Sequence, residues 1–306
     1  MSILDEQLNR YLSLRRSLGY RLQEHGYVLA DFVRYAHARG ERTVHTTTVL
    51  AWAGGACSEA ARARWISMVR GLARYLVAFD ASTEIPPRGL LAAAPVRSTP
   101  HIFSEQEIVR LMATASAFAP APFGVAMATL IGLMAATGLR SGEIRRLDRR
   151  DVDLAAGQLT VWHTKLGRSR RLPLHESTLQ ALTDYAASRD RARPDPRDQA
   201  FFLGRRGRRL TRAVLSAAFR ELRQQASIST PAADRPALLG DLRHTFAVTT
   251  LLSWHRAGAD VQRQLPVLSA YMGHVNPAQT YWYLQATPEL MALVAERLER
   301  SWEDRR

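Results

Sequence analysis

Four prolines in 23 residues, ASTEIPPRGLLAAAPVRSTPHIF (81–103), divide this chain before any other feature is considered. Proline lacks the backbone donor and crowds the preceding turn, so no helix runs through Pro86, Pro87, Pro95 and Pro100. The stretches on either side carry helical periodicity, so two folded units joined by a linker are expected, which also suits 306 residues. The expected boundaries are 1–82 for the first domain, 83–103 for the linker and 104–306 for the second.

In the first domain Leu4, Leu8, Tyr11, Leu12 and Leu18 recur at helical spacing, beside Arg10, Arg15 and Arg16. Leu29, Phe32, Val33 and Ala36 mark a second helix ending near Gly40. Val49, Leu50 and Trp52 mark a short third. Ser58 caps a fourth, with Trp65, Met68, Leu72, Tyr75, Leu76 and Phe79 on its apolar face. Four such helices predict a bundle. Past the linker, Ser104-Glu105-Gln106-Glu107 is a capping-box pattern that opens a new helix. QLTVWHTK (158–165) and SRRLPL (169–174), separated by Leu166-Gly167-Arg168, predict a β-hairpin with a basic tip. Helical patterns follow near 176–189, 211–226, 242–255 and 264–272. The predicted fold is therefore mainly α, with a small antiparallel sheet in the second domain.

Charge narrows the partners. Forty-two Lys and Arg stand against 28 Asp and Glu, a formal charge of +14, and such an excess attracts polyanions, nucleic acid first. No apolar run has the length of a membrane span and no signal-peptide pattern opens the chain, so no membrane partner is expected. The single cysteine, Cys57, excludes an intrachain disulfide and a multi-cysteine zinc site, and reads as a small buried hydrophobe. There is no G-x-x-x-x-G-K-[ST] loop and no H-E-x-x-H. Asp151 and Asp153, before the hairpin, read as structural. No cofactor and no metal are expected.

Four segments carry candidate chemistry. ATGLRSGEI (136–144) places Arg140 after a break between helices, and TKLGRSRRLPL (164–174) places Lys165 at the hairpin tip. GDLRHTFA (240–247) sets Arg243 in the first turn of a helix, with Asp241 as a possible N-cap. YMGHVNPAQTYWYLQ (271–285) supplies His274 and three tyrosines. Singly, each has an ordinary alternative: an ion pair for Arg140, a solvated turn for Lys165, a helix C-cap for His274. Arg243 is the most suggestive, because a helix N-terminus already favours anions.

Together, Thr137-Gly138-Leu139-Arg140 with Glu143, Lys165, Asp241-Leu242-Arg243-His244, Gly273-His274 and a tyrosine nine residues beyond that histidine resemble the tyrosine recombinases, or phage-type integrases. Order, identity and spacing agree over about 150 residues. The resemblance makes the first domain a core-binding domain and the second the catalytic one, with duplex DNA clamped between them. It implies a site-specific recombinase that cuts and rejoins DNA, with Tyr283 as the nucleophile that forms a 3′-phosphotyrosyl link.

 The resemblance further implies the recombinase or integrase of a mobile element, with Tyr281, Trp282 and Tyr271 left to packing or DNA. In the same terms Arg140 and Arg243 bind the phosphate, His274 donates a hydrogen bond to it, Lys165 protonates the departing 5′-oxygen and Glu143 supports the site. The implied partners are double-stranded DNA and further copies of the chain in a tetrameric synapse, with room for accessory or sister recombinases, in a bacterial cytoplasm at the nucleoid. Arg168 at the hairpin tip and Arg205, Arg206, Arg208 and Arg209 in FLGRRGRRLTR are candidate DNA contacts. The C-terminal TPELMALVAERLERSW (287–302) reads as an amphipathic helix.

One position departs from the pattern. The family usually has histidine where this chain has Gly240, so the second phosphate donor or proton acceptor is missing. Either His274 or water fills the role, or His244 does from a helix position about 100° away, or the protein is a weakly active or non-catalytic DNA-binding accessory of the same fold. A relaxing topoisomerase and a helix-turn-helix repressor are the other readings; the repressor leaves Lys165 and the His274–Tyr283 spacing unexplained.

Overall fold

The computed structural model describes residues 3–20, 22–90, 99–118, 120–162, 169–194, 198–229, 235–274 and 280. It divides into two compact units, Met1–Arg97 and Ser98–Arg306.

The first unit holds α1 (Ile3–Ser17), α2 (Gln23–Ala38), α3 (Thr46–Ala53) and α4 (Glu59–Leu76). Their apolar stripes meet in one core built on Leu8, Leu29, Phe32, Val49, Val69 and Leu72. Trp52 stacks on Trp65 and meets Phe32 edge-on, while its indole N–H donates to Asp31 at 2.9 Å. Ser58 caps α4 by accepting from the Ala61 amide at 3.2 Å. Two expected core residues lie outside: Leu18 and Phe79 are exposed, because each falls beyond the end of its helix. Cys57 is exposed as well, in the turn between α3 and α4, which corrects its reading as a buried hydrophobe. Part of the proline-rich stretch is tied to this unit. Arg70 of α4 donates to the Pro86 and Pro87 carbonyls at 2.6 and 2.7 Å, and Glu84 accepts from the Thr46 amide at 2.8 Å.

The second unit is built around α6 (Ala121–Thr137), which is apolar on every side and therefore central. Helices α5 (Glu105–Ser116), α8 (Glu176–Ala192) and α10 (Asp241–Arg256) pack against it. The capping box of α5 forms in both directions between Ser104 and Glu107. The short α7 (Ser141–Ile144) follows α6, then α9 (Arg212–Gln225) and α11 (Val261–Met272) complete the α-helices among the described residues. The sheet has three antiparallel strands in the order β1 (Val152–Asp153), β2 (Gln158–Val161) and β3 (Arg170–Pro173), one more than the expected hairpin. Leu159, Val161 and Leu172 face the core and Arg171 is exposed, the alternation a half-buried sheet requires. Asp151 accepts from the Trp162 indole at 2.8 Å and Asp153 from the amides of Ala155 and Ala156, so both carboxylates serve local structure. No described helix is long and apolar enough to cross a membrane.

Candidate phosphate-binding site

Three helix ends deliver the site. Helix α6 stops at Gly138, whose φ of +62° turns the chain sharply toward Arg140. Helix α10 starts at residue 241 and carries Arg243 in its first turn. Helix α11 stops at Gly273, with φ of +67°, and the next residue is His274. The His274 amide donates to the Ser269 carbonyl at 2.9 Å, so its backbone closes the helix end and its imidazole is not needed for that.

The Met272–Gly273 carbonyls are the meeting point. Arg243 donates to the Met272 carbonyl at 2.8 Å and to the Gly138 carbonyl at 2.6 Å. Arg140 donates to the Gly273 carbonyl at 3.1 Å and to Glu143 Oε1 at 2.9 Å. Arg243 is buried at 7% exposure, whereas the Arg140 side chain keeps 37%. Thr280 Oγ1 lies 2.7 Å from His274 Nδ1. Sequence reading thus named residues that the fold brings together from positions more than 130 apart. It missed Arg170 of β3, which pairs with Glu143 through both terminal nitrogens, at 3.2 and 2.9 Å. Arg170 and Leu172 are two apart in one strand and so share a face; a cation on the core side was the available signal.

Electrostatics follow from burial among cations. Burial alone would raise the Glu143 carboxyl, but the Arg170 pair, with the amide and charge of Arg140, holds it at about 2. Burial and then the charges of Arg243, Arg140 and Arg170 push His274 down to about 3, against the opposing pull of Glu143. His274 is therefore a neutral imidazole at neutral pH, able to donate one hydrogen bond while accepting another. Both depressed values cost stability in acid. The unfolded chain protonates His274 near 6.5 and Glu143 near 4.5, while the native chain resists until about 3 and 2. Stability is thus complete above pH 6.5 and falls below it. Thermal melts from pH 8 to 4 are expected to show this slope, reduced in His274→Gln between pH 6.5 and 4.

Gly240 precedes α10 with ordinary right-handed backbone angles, and a Cβ there would meet nothing within 4 Å. It occupies the N-cap position, so Asp241 is not the cap. Asp241 instead accepts from the Leu238 amide at 2.9 Å and takes a forked pair from Arg235 at 2.8 Å on each oxygen. His244 is half-buried on α10, next to Arg243 in sequence. Among the described residues no group of three His, Cys, Asp or Glu is arranged to hold a metal. Lys165, Arg168, Tyr281, Trp282, Tyr283 and the segment 287–302 lie outside the described residues.

The basic run after α8 divides by partner. Arg209 donates to the Arg145 carbonyl at 3.0 Å, to Asp148 at 2.5 Å and to Asp198 at 3.2 Å. Arg205 is exposed and lies over the Phe118 and Phe123 rings, at 5.2 and 5.0 Å. Arg206 and Arg208 are exposed on the same turn.

Residues 101–289 match the model of the phage integrase family. The y4rE protein of Sinorhizobium fredii, which carries an integrase/recombinase name, is 42% identical over 96% of this chain and 95% of its own. Tyrosine recombinase XerC of Azotobacter vinelandii is 31% identical over 77% of this chain and 72% of its own. The Tn1549 transposon integrase, solved in complex with transposon right end DNA, superposes with a TM-score of 0.66 at 18% identity, covering 98% of this chain and 100% of that one.

Proposed function

The chain belongs to the phage integrase family and is a tyrosine-type site-specific DNA recombinase, and from that premise we propose how its residues divide the work. Arg140, Arg243 and His274 hold the scissile phosphate. The Tyr283 oxygen attacks phosphorus, the bond to the 5′-oxygen breaks, and Lys165 gives that oxygen a proton. The 3′-phosphotyrosyl diester keeps the energy of the broken bond, so a 5′-hydroxyl of the partner strand reverses the step without a nucleotide cofactor. The observation that carries this reading is the convergence of Arg140 and Arg243 on the Met272–Gly273 carbonyls, immediately before His274 in the chain. Forked guanidiniums match the charge that gathers on non-bridging oxygens in the transition state.

Duplex DNA is the substrate, and the +14 charge supports that. Arg205, Arg206 and Arg208 contact its backbone from one turn, while Arg209 holds that turn in place; Arg168 adds a contact from the hairpin. Residues 1–82 act as the core-binding domain, 83–103 as the linker and 104–306 as the catalytic domain. Joining two duplexes needs four strand cleavages and hence four nucleophiles, so four copies assemble on DNA. The reaction moves a mobile element in a bacterial cytoplasm, at the nucleoid, with accessory or sister recombinases as further partners.

Gly240 favours a second reading, a DNA-binding accessory without cleavage activity. A nicked duplex from the ends of the element carrying the gene separates the two, because loss of the short strand traps the covalent intermediate. Wild-type protein is expected to remain attached to DNA on denaturing electrophoresis, and Tyr283→Phe to bind DNA without attaching. Binding with no wild-type adduct would establish the accessory reading. The open space at residue 240 makes a further expectation. Gly240→His is expected to change stability by less than about 1 kcal/mol and to raise single-turnover cleavage about tenfold.

A further inference from the structure

Strand β3 supplies a residue whose contacts join Glu143 to the end of α11. Arg170 pairs with Val161 across the sheet and shares the core face with Leu172. Its side chain is 12% exposed and that of Glu143 is 2% exposed. The forked pair between them takes both carboxylate oxygens, and Arg170 Nε donates to the Tyr271 carbonyl at 2.8 Å. Glu143 also accepts from the Arg140 amide at 3.1 Å and from its guanidinium at 2.9 Å. Arg140 then reaches the Gly273 carbonyl, which closes a ring of contacts back to α11. A Cβ at Gly273 would come within 2.7 Å of Arg170 Nη1, so the guanidinium lies directly against this corner.

Charge gives the ring its purpose. A buried carboxylate requires a cation, and with Arg140 alone that cation would be neutralised by Glu143. Two guanidiniums on one carboxylate leave a net positive charge, with Arg140 the more exposed of the pair. We propose that Arg170 is a positioning residue for DNA cleavage: it satisfies Glu143 and anchors the α11 corner, so that Arg140 and His274 stand ready for the phosphate. This rests on the reading of Arg140 and His274 as phosphate-binding groups.

The test uses the full chain and the nicked duplex described above. Arg170→Gln is expected to slow single-turnover cleavage about 100-fold with DNA affinity at fixed salt changed by less than about threefold. Arg170→Lys, which keeps the charge but not the fork, is expected to be slowed about tenfold. Adding Glu143→Gln to Arg170→Gln removes the charge that needed a partner, and is expected to recover about tenfold over the single variant. Cleavage by Arg170→Gln within threefold of wild type, or a double variant as slow as the product of the singles, would overturn the proposal. If Arg170→Gln fails to fold, Arg170→Lys decides: tenfold slower cleavage at unchanged affinity supports the proposal and the wild-type rate overturns it. A wild-type chain that forms no adduct would count against the chemistry of the site instead. Histidine ¹⁵N shifts of the DNA-free chain then decide on Arg170, since Arg170→Lys must alter the His274 titration if the corner is anchored there, and an unchanged titration overturns the proposal.

Discussion

Arg243→Ala is expected to slow strand cleavage by roughly 10²–10³ while leaving most of the DNA affinity in place. The affinity is expected to survive because a chain of charge +14 keeps many other cations to meet the DNA backbone. The rate falls for two reasons that act together. In the proposed mechanism the guanidinium supplies donors to a developing charge, and in the structure it bridges the Gly138 and Met272 carbonyls at 2.6 and 2.8 Å. Its loss would remove the proposed phosphate ligand and loosen the helix ends that present Arg140 and His274. Arg243→Lys is expected to recover little, since one ammonium on a flexible stem does not reproduce the planar fork. Single-turnover cleavage with DNA in excess measures the rate apart from affinity. A rate within tenfold of wild type would remove Arg243 from the account.

Gly138→Ala is expected to have the largest effect on stability of any single methyl addition near the site. The backbone there has φ of +62°, which an L side chain adopts only with strain, and the added Cβ would lie 2.5 Å from Phe246 Cδ1. Phe246 has little freedom to withdraw, because it stacks on Tyr271 at 5.7 Å. Strain and overlap together are expected to cost about 2–4 kcal/mol, lowering Tm by roughly 5–10 °C. Cleavage is expected to fall as well, since Gly138 sets the approach of the chain to Arg140 and accepts from Arg243. Gly240→Ala is the matched control: its backbone is right-handed and its surroundings are open, so its Tm is expected to stay within about 2 °C of wild type. Equal melting temperatures for the two variants would contradict this reading of the helix ends.

Much of this was legible in the sequence because it is local. Ser58 and the Ser104–Glu107 box start their helices through contacts three residues away, and helical spacing placed Phe32, Val33, Leu72 and Leu76 in a core. Arg140, Arg243 and His274 were legible because each follows or opens a helix end marked by glycine or by a polar first turn. What the local pattern did not reveal was set by distant partners. Arg205, Arg206, Arg208 and Arg209 are the same residue type in one short run, yet Arg209 is held by Asp148 and Asp198. Nothing within the run distinguishes it. Arg170 escaped because its role depends on Glu143, 27 residues earlier, and on α11, about 100 residues later. Cys57 was misplaced because its burial was inferred from residue type, and a turn between helices overrides that preference.

The identity of the nucleophile is the claim on which the rest depends, and one measurement addresses it directly. Wild-type protein trapped on the nicked duplex is digested with nuclease and trypsin, and the peptide of residues 264–297 is sequenced by mass spectrometry. That peptide contains Tyr271, Tyr281 and Tyr283, so one spectrum compares all three. A nucleotide remnant on Tyr283 alone is the predicted result. A remnant on Tyr281 or Tyr271, or an unmodified peptide from protein that had bound its DNA, would contradict the account.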